Sequence, residues 1–400
     1  MTRIQFPPPP AGESGPRKGA DGRARRPPKP SETDRSTVEA FTRPFIGQAA
    51  PATFFRKGKR NILGLAASLL LAACATTPEV GWQANHAAAE VLREAIRFAE
   101  APLADDWTDV AVATAPVPIN DADLEAGTGQ LVYAGGVQVT SGFNRLHGLS
   151  DIKFDSAGGF YSISDEGLLI RGRVQLNAEG RLVGVAGVQV RPLTDPDGQP
   201  LIPKYLADAE GLALMPDGEL LVSFERLHRV WRYDREGRWR GERTIPDFTF
   251  TENEGMEGIS GSNDDDHFWA AGEDGGLWSC WIARCAALMP PPAAAPTDDD
   301  LRMTSLATLG DGIYGLRRAY HADRNTNTIE ITELEMIDGE AGPDLSWRPL
   351  ARFTAPATVD NFEGVAAVRR SDGGVRLYIL SDDNFNPGQR TLLLAFDVVG

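Results

Sequence analysis

Four times between residues 147 and 384 the chain repeats one short unit. It reads as a polar residue, a glycine and an apolar residue, then a tight turn, then a strand that closes on acidic residues. The copies run from His147-Gly148-Leu149 to Asp165-Glu166, from Glu210-Gly211-Leu212 to Glu225-Arg226, from Glu257-Gly258-Ile259 to Glu273-Asp274, and from Glu363-Gly364-Val365 to Asp382-Asp383. Turns such as Pro216-Asp217-Gly218 suit hairpins, because Asp-Gly tolerates positive φ. The glycines at 148, 211, 258 and 364 leave a last gap about twice the others, which predicts a weaker unit near Ile313–Met336 with a turn at Asn325-Thr326-Asn327. A sixth unit is assembled from residues 107–140 and the C-terminal strand Thr391–Val399. Repeats of this length built from short strands predict an all-β fold, a six-bladed β-propeller over residues 105–400, with a β-sandwich as the competing architecture. Closing the ring with both chain ends removes exposed sheet edges.

The first hundred residues read differently. Residues 1–53 are proline-rich without hydrophobic periodicity and are expected to be disordered. Residues 54–74 follow the pattern of an export signal: Arg56, Lys57, Lys59 and Arg60, an apolar run from Ile62 to Ala73, then Cys74. That run is too short to span a bilayer. Leu71-Ala72-Ala73-Cys74 resembles the bacterial lipobox, which implies lipidation at Cys74 and a membrane contact through the lipid anchor only. Ala75 after the cysteine resembles lipoproteins sent to the outer membrane, so the expected location is the cell envelope, facing the periplasm. Residues 75–104 are a linker, with apolar positions at helical spacing between Asn85 and Ala99.

Charge narrows the partners. Residues 1–60 hold 13 Lys/Arg against 5 Asp/Glu, a net of +8, so the −16 of the whole chain leaves −24 for the rest. A body this acidic argues against nucleic acid, whose phosphates need Lys and Arg.

In a propeller the repeated positions face one axis, so Glu210, Glu257, Glu363 and the aligned His147 are expected near one mouth of the channel. Carboxylates crowded in this way repel one another unless a cation or shared proton compensates. Calcium, an oxygen-seeking cation, is the expected cofactor, with Glu210, Glu257 and Glu363 as metal ligands. The structural alternative has these glutamates bonding backbone amides of neighbouring blades. No G-x-S-x-G elbow or H-E-x-x-H motif occurs, and Asp382–Gly388 starts like an EF-hand loop but has Leu393 at the twelfth position. Cys280 and Cys285 form either a local disulfide or two buried thiols.

The Glu-Gly-apolar units, with SFER at 223–226, NEGMEGIS at 253–260 and NFEGVA at 361–366, resemble the phytase-like propeller family described as having esterase-like activity of phytase. The resemblance covers about residues 140–399. It implies an exported six-bladed propeller that hydrolyses a small anionic ester or phosphate ester. Glu210, Glu257 and Glu363 match the acidic motif positions, whereas His147 stands where the repeat would place a glutamate. The expected chemistry is attack by a water activated at the metal, with Glu257 or His147 as general base and Arg226 holding an anionic group. A metal-dependent lactonase and a non-catalytic binding propeller are the other readings.

Overall fold

The computed structural model describes residues 106–119 and 130–399, apart from 203, 252, 295, 298, 340 and 341. The N-terminal extension, the lipobox with Cys74 and the linker with its expected helix lie outside the described residues. Among the described residues no helix is long and apolar enough to cross a membrane.

Strands β1 (Thr108–Asp109), β2 (Val112–Pro116) and β3 (Leu131–Ser141) come first. The first four-stranded unit follows as β4 (Leu149–Phe154), β5 (Gly159–Ser164), β6 (Leu168–Leu176) and β7 (Leu182–Pro192). A short helix, α1 (Lys204–Ala207), leads into the second: β8 (Ala209–Leu214), β9 (Leu220–Phe224), β10 (Arg229–Tyr233) and β11 (Trp239–Arg243). The third contains β12 (Gly258–Gly261), β13 (His267–Ala271), β14 (Leu277–Trp281) and β15 (Arg284–Met289). The fourth contains β16 (Arg302–Leu309), β17 (Gly312–His321), β18 (Thr326–Gly339) and β19 (Gly342–Thr354). The last is β20 (Asn361–Arg369), β21 (Val375–Asp382) and β22 (Leu392–Val398), completed by β3 from the other end of the chain.

Each unit is an antiparallel meander, and the innermost strands β4, β8, β12, β16 and β20 pack side by side in a cycle, β20 returning to β4. This is a β-propeller, and its described strands make five units rather than the six expected. The supposed sixth unit dissolves because β3 and β22 pair with each other, Leu393 opposite Val137, and both belong to the sheet of β20 and β21. The weaker unit near Ile313–Met336 is present as the fourth, and Asn325 forms its turn at φ 49°. The acidic stretch Asp264–Asp266 is a hairpin tip between β12 and β13. Cys280 and Cys285 face each other across the β14–β15 hairpin and are joined as a disulfide.

Local chemistry explains the meanders. At the β8–β9 turn the Asp217 carboxylate accepts the Glu219 amide at 2.8 Å, and Gly218 takes φ +89°. The middle strands β9 and β13 are buried throughout, as expected for strands covered on both faces. Apolar clusters fill four of the five junctions between units. Between the third and fourth units the described contacts include polar ones, Ser260 Oγ to Thr308 Oγ1 at 3.0 Å and Asn263 Nδ2 to the Gly310 carbonyl at 3.3 Å.

Glycines set the close approach of the innermost strands. A Cβ on Gly211 would stand 2.7 Å from the Glu257 carbonyl, one on Gly258 2.9 Å from Leu306, and one on Gly364 3.0 Å from Asp151 Cα. One ion pair then ties four units together. The fully buried Asp151 accepts Lys153 Nζ at 2.6 Å, the Leu212 amide at 2.8 Å and Ser305 Oγ at 2.8 Å, while Lys153 also donates to the Val365 carbonyl at 3.0 Å.

Candidate functional site

The repeated polar position is a β-bulge. The pairing of innermost strand with its neighbour skips one residue at Ser150, Glu210, Thr304 and Glu363. In the third unit Glu257 stands just before β12, whose pairing begins with Gly258 opposite Ala271. A bulge leaves its residue out of the ladder and re-aims its side chain. The equivalent positions are therefore Ser150, Glu210, Glu257, Thr304 and Glu363, which corrects the alignment of His147 with the glutamates. Gly148 imitates the repeat but lies ahead of β4 at φ +62°, and the register slip falls two residues later.

Two residues beyond the partner of each post-bulge residue, which is Ile163, Ser223, Ala271, Leu316 or Leu380, stands a further tier: Asp165, Glu225, Glu273, Arg318 and Asp382. Backbone bonds fix this equivalence, since the amides of Asp165, Glu225 and Glu273 each bond the carbonyl two residues before the bulge, at Gly148, Asp208 and Gly255. Four units supply a carboxylate here and the fourth supplies Arg318, which reaches Glu363 at 3.5 Å and bonds Asn361 Oδ1.

The carboxylates of the two tiers act on one another's protonation. Burial, then the charges of Glu257, Asp208, Glu363 and Glu225, pushes the Glu210 carboxyl well above the usual range. Glu257 is pushed well above it by burial and by Glu273, Glu225 and Glu363, against the opposing pull of Arg318. Burial raises Glu363 to about 7 even though Arg318 and the Asn361 amide oppose it. Glu225 rises to about 7 through burial and Asp208, and Asp165 to about 6 through burial offset by Lys204. The charges of Glu257 and Glu363 thus act on Glu210, and that of Glu363 on Glu257. Among the described residues no hydrogen-bond donor reaches the carboxylates of Glu210, Glu225 or Glu257, so none of these is held by a neighbouring backbone amide.

The tightest acidic set differs from the expected ligand set. Ligand oxygens of Asp208, Glu210 and Glu225 all lie within 4.8 Å of one another. Asp208 is already engaged, by Lys204 Nζ at 2.6 Å and by Arg226 Nε, so Glu210 and Glu225 are the members with open lone pairs. An all-oxygen donor set of this kind fits a hard cation such as calcium. Arg226 takes the left-handed conformation, φ 56°, to reach Asp208 across the unit. His147 stands at the rim, its Nδ1 2.7 Å from Asp383 Oδ2 and its ring against Phe385.

Reading the sequence missed Asp208, Lys204 and Arg318. Lys204 and Asp208 are four apart, a spacing that α1 turns into a contact, and Lys204 also donates to Asp165 at 2.7 Å. Arg318 closes the unit that repeats least well, so no acidic residue marked it.

A family model described as "Phytase-like: Esterase-like activity of phytase" matches residues 144–385. No curated protein matches the chain. Solved structures with a loose likeness include virginiamycin B lyase from Staphylococcus aureus, with 11% identity, 72% of this chain and 100% of that one covered, and a TM-score of 0.35. PQQ-bound aldose sugar dehydrogenase from Streptomyces coelicolor shows 10% identity, coverage of 72% and 99%, and a TM-score of 0.33. At such identities and scores neither relative's activity bears on this chain.

Proposed function

The chain belongs to the phytase-like family, described as having esterase-like activity of phytase, and from that membership we propose a metal-dependent hydrolase of phosphate or carboxyl esters working at the carboxylate mouth. The observation that carries the proposal is the crowding of Glu210 and Glu225 with Asp208, under the charge of Glu257 as well, where no hydrogen-bond donor among the described residues reaches the three glutamates. Glu210 and Glu225 would hold calcium, with Glu257 and Glu363 close by in the same field. Bound there, the ion would supply positive charge to polarise the ester and offset charge developing on its oxygens.

The chain's own groups supply the rest. With Nδ1–H donated to Asp383, His147 presents Nε2 as the proton acceptor for an attacking water. Arg226 and Lys204, held through Asp208, set positive charge at one side of the mouth and favour an anionic substrate. The membrane side of the reading rests on residues 54–74: export, lipidation at Cys74 and residence at the outer membrane facing the periplasm. A non-catalytic binding propeller is favoured by one observation, that both oxygens of Asp208 are already occupied.

Purified protein assayed against a phosphomonoester, a carboxyl ester and a lactone, with calcium and with EDTA, tests the proposal. Ester turnover should vanish on chelation and fall about a hundredfold or more in His147→Gln, in line with loss of a general base. Turnover indifferent to EDTA and to Glu257→Gln would contradict it, and turnover of the lactone alone would point to a lactonase. Cys74→Ala should move the protein from the membrane to the soluble fraction.

A further inference from the structure

Beside the carboxylates, a cavity of about 700 Å³ opens between the fourth and fifth units. Six carboxamides line it: Asn325 from the β17–β18 turn, Asn327 from the start of β18, Asn361 from the start of β20, and Asn384, Asn386 and Gln389 from the loop before β22. Asn327 is only 8% exposed, yet its Oδ1 has no hydrogen-bond partner. Arg318 Nε, on the same wall, is also buried without an acceptor. Leaving a buried polar group unsatisfied is unfavourable, so such groups in a cavity point to something that satisfies them.

The charges of the lining are largely answered from within. Arg390 donates to Asp360 at 2.9 Å and to the Val359 carbonyl at 3.2 Å, and Arg318 pairs with Glu363. Asn361 is taken up by Arg318 and Glu363, and the Oδ1 atoms of Asn325 and Asn386 accept from Tyr320 and the Gly388 amide. The remaining capacity is that of neutral amides, the Oδ1 of Asn327, the side chains of Asn384 and Gln389 and the Nδ2 atoms of Asn325 and Asn386, which together donate and accept, the complement of vicinal hydroxyls. Tyr320, an exposed aromatic, lines one wall and is tethered by its hydroxyl to Asn325 Oδ1 at 3.0 Å. Its ring adds an apolar face suited to the C–H side of a sugar.

We propose that this cavity binds a neutral polyhydroxylated ring, a hexopyranose unit of a glycan. Binding here goes beyond the hydrolysis proposed above and does not depend on it. The test is calorimetry and saturation-transfer NMR with maltose, cellobiose and chitobiose, with inorganic phosphate as the charged comparison. At least one disaccharide should bind, unaffected by phosphate, and bind about tenfold more weakly in Asn327→Leu and in Tyr320→Ala, the loss of one good contact. Should Asn327→Leu fail to fold, the surface variant Tyr320→Ala decides alone. No binding by any of the three, affinity unchanged in Tyr320→Ala, or displacement by phosphate would each overturn the proposal, the last by making the cavity an anion site.

Discussion

Glu363 and Glu225 show what the mouth demands of single residues. Each is held near pH 7, mainly by burial, whereas an unfolded Glu titrates near 4.3. The folded state therefore binds more protons than the unfolded one between those values. The stability these groups confer is fully present below about pH 4 and is lost as pH rises through about 7. Without divalent cations the melting temperature should fall between pH 5 and pH 8, and calcium should flatten that fall by taking the place of the protons. Differential scanning calorimetry across that range checks both; a melting temperature that rises with pH in EDTA would contradict the assignment. Much of this was legible, because Glu-Gly-apolar followed by a strand ending in acids marks the bulge and its partner tier. His147 misled because Gly148 copies the repeat while serving a loop at positive φ. Asp208 left no pattern, since α1 has only four residues and no periodicity to read.

At the scale of elements, the innermost strands are joined by contact distances that allow little side chain and by one buried ion pair. Gly258→Ala would press a methyl group against Leu306 and the Ser305 backbone and should cost about 1–3 kcal/mol, as overpacking does. Lys153→Met would leave Asp151 buried with its charge uncompensated and should cost about 3–5 kcal/mol. Urea titrations measure both, and a neutral Lys153→Met would show that Asp151 is protonated and the pair dispensable. This hub was not visible in the sequence, because Asp151 follows the bulge at a place where the second, third and fifth units have glycine.

The propeller closes through β3, which the sequence reading joins to the C-terminal strand but sets in a sixth unit apart from β20 and β21. Ring closure pairs residues more than 250 positions apart, Val137 with Leu393, and no local pattern encodes such a partner. Proline at Val137 would remove an amide from the β3–β22 ladder and open the ring at its seam. Val137→Pro should lower amide protection in β20–β22 and in β4–β7 together, measured by hydrogen exchange, because their shared apolar cluster spans that seam. Protection lost only in β3 would mean that the units hold together without closure. The account stands or falls, however, on the carboxylate mouth that the ring creates. Calorimetric titration of calcium into chelator-treated protein tests it most directly. Saturable binding is expected, weakened at least about tenfold in Glu210→Gln, the loss of one charged ligand. Absence of binding, or equal binding by the two proteins, would contradict it.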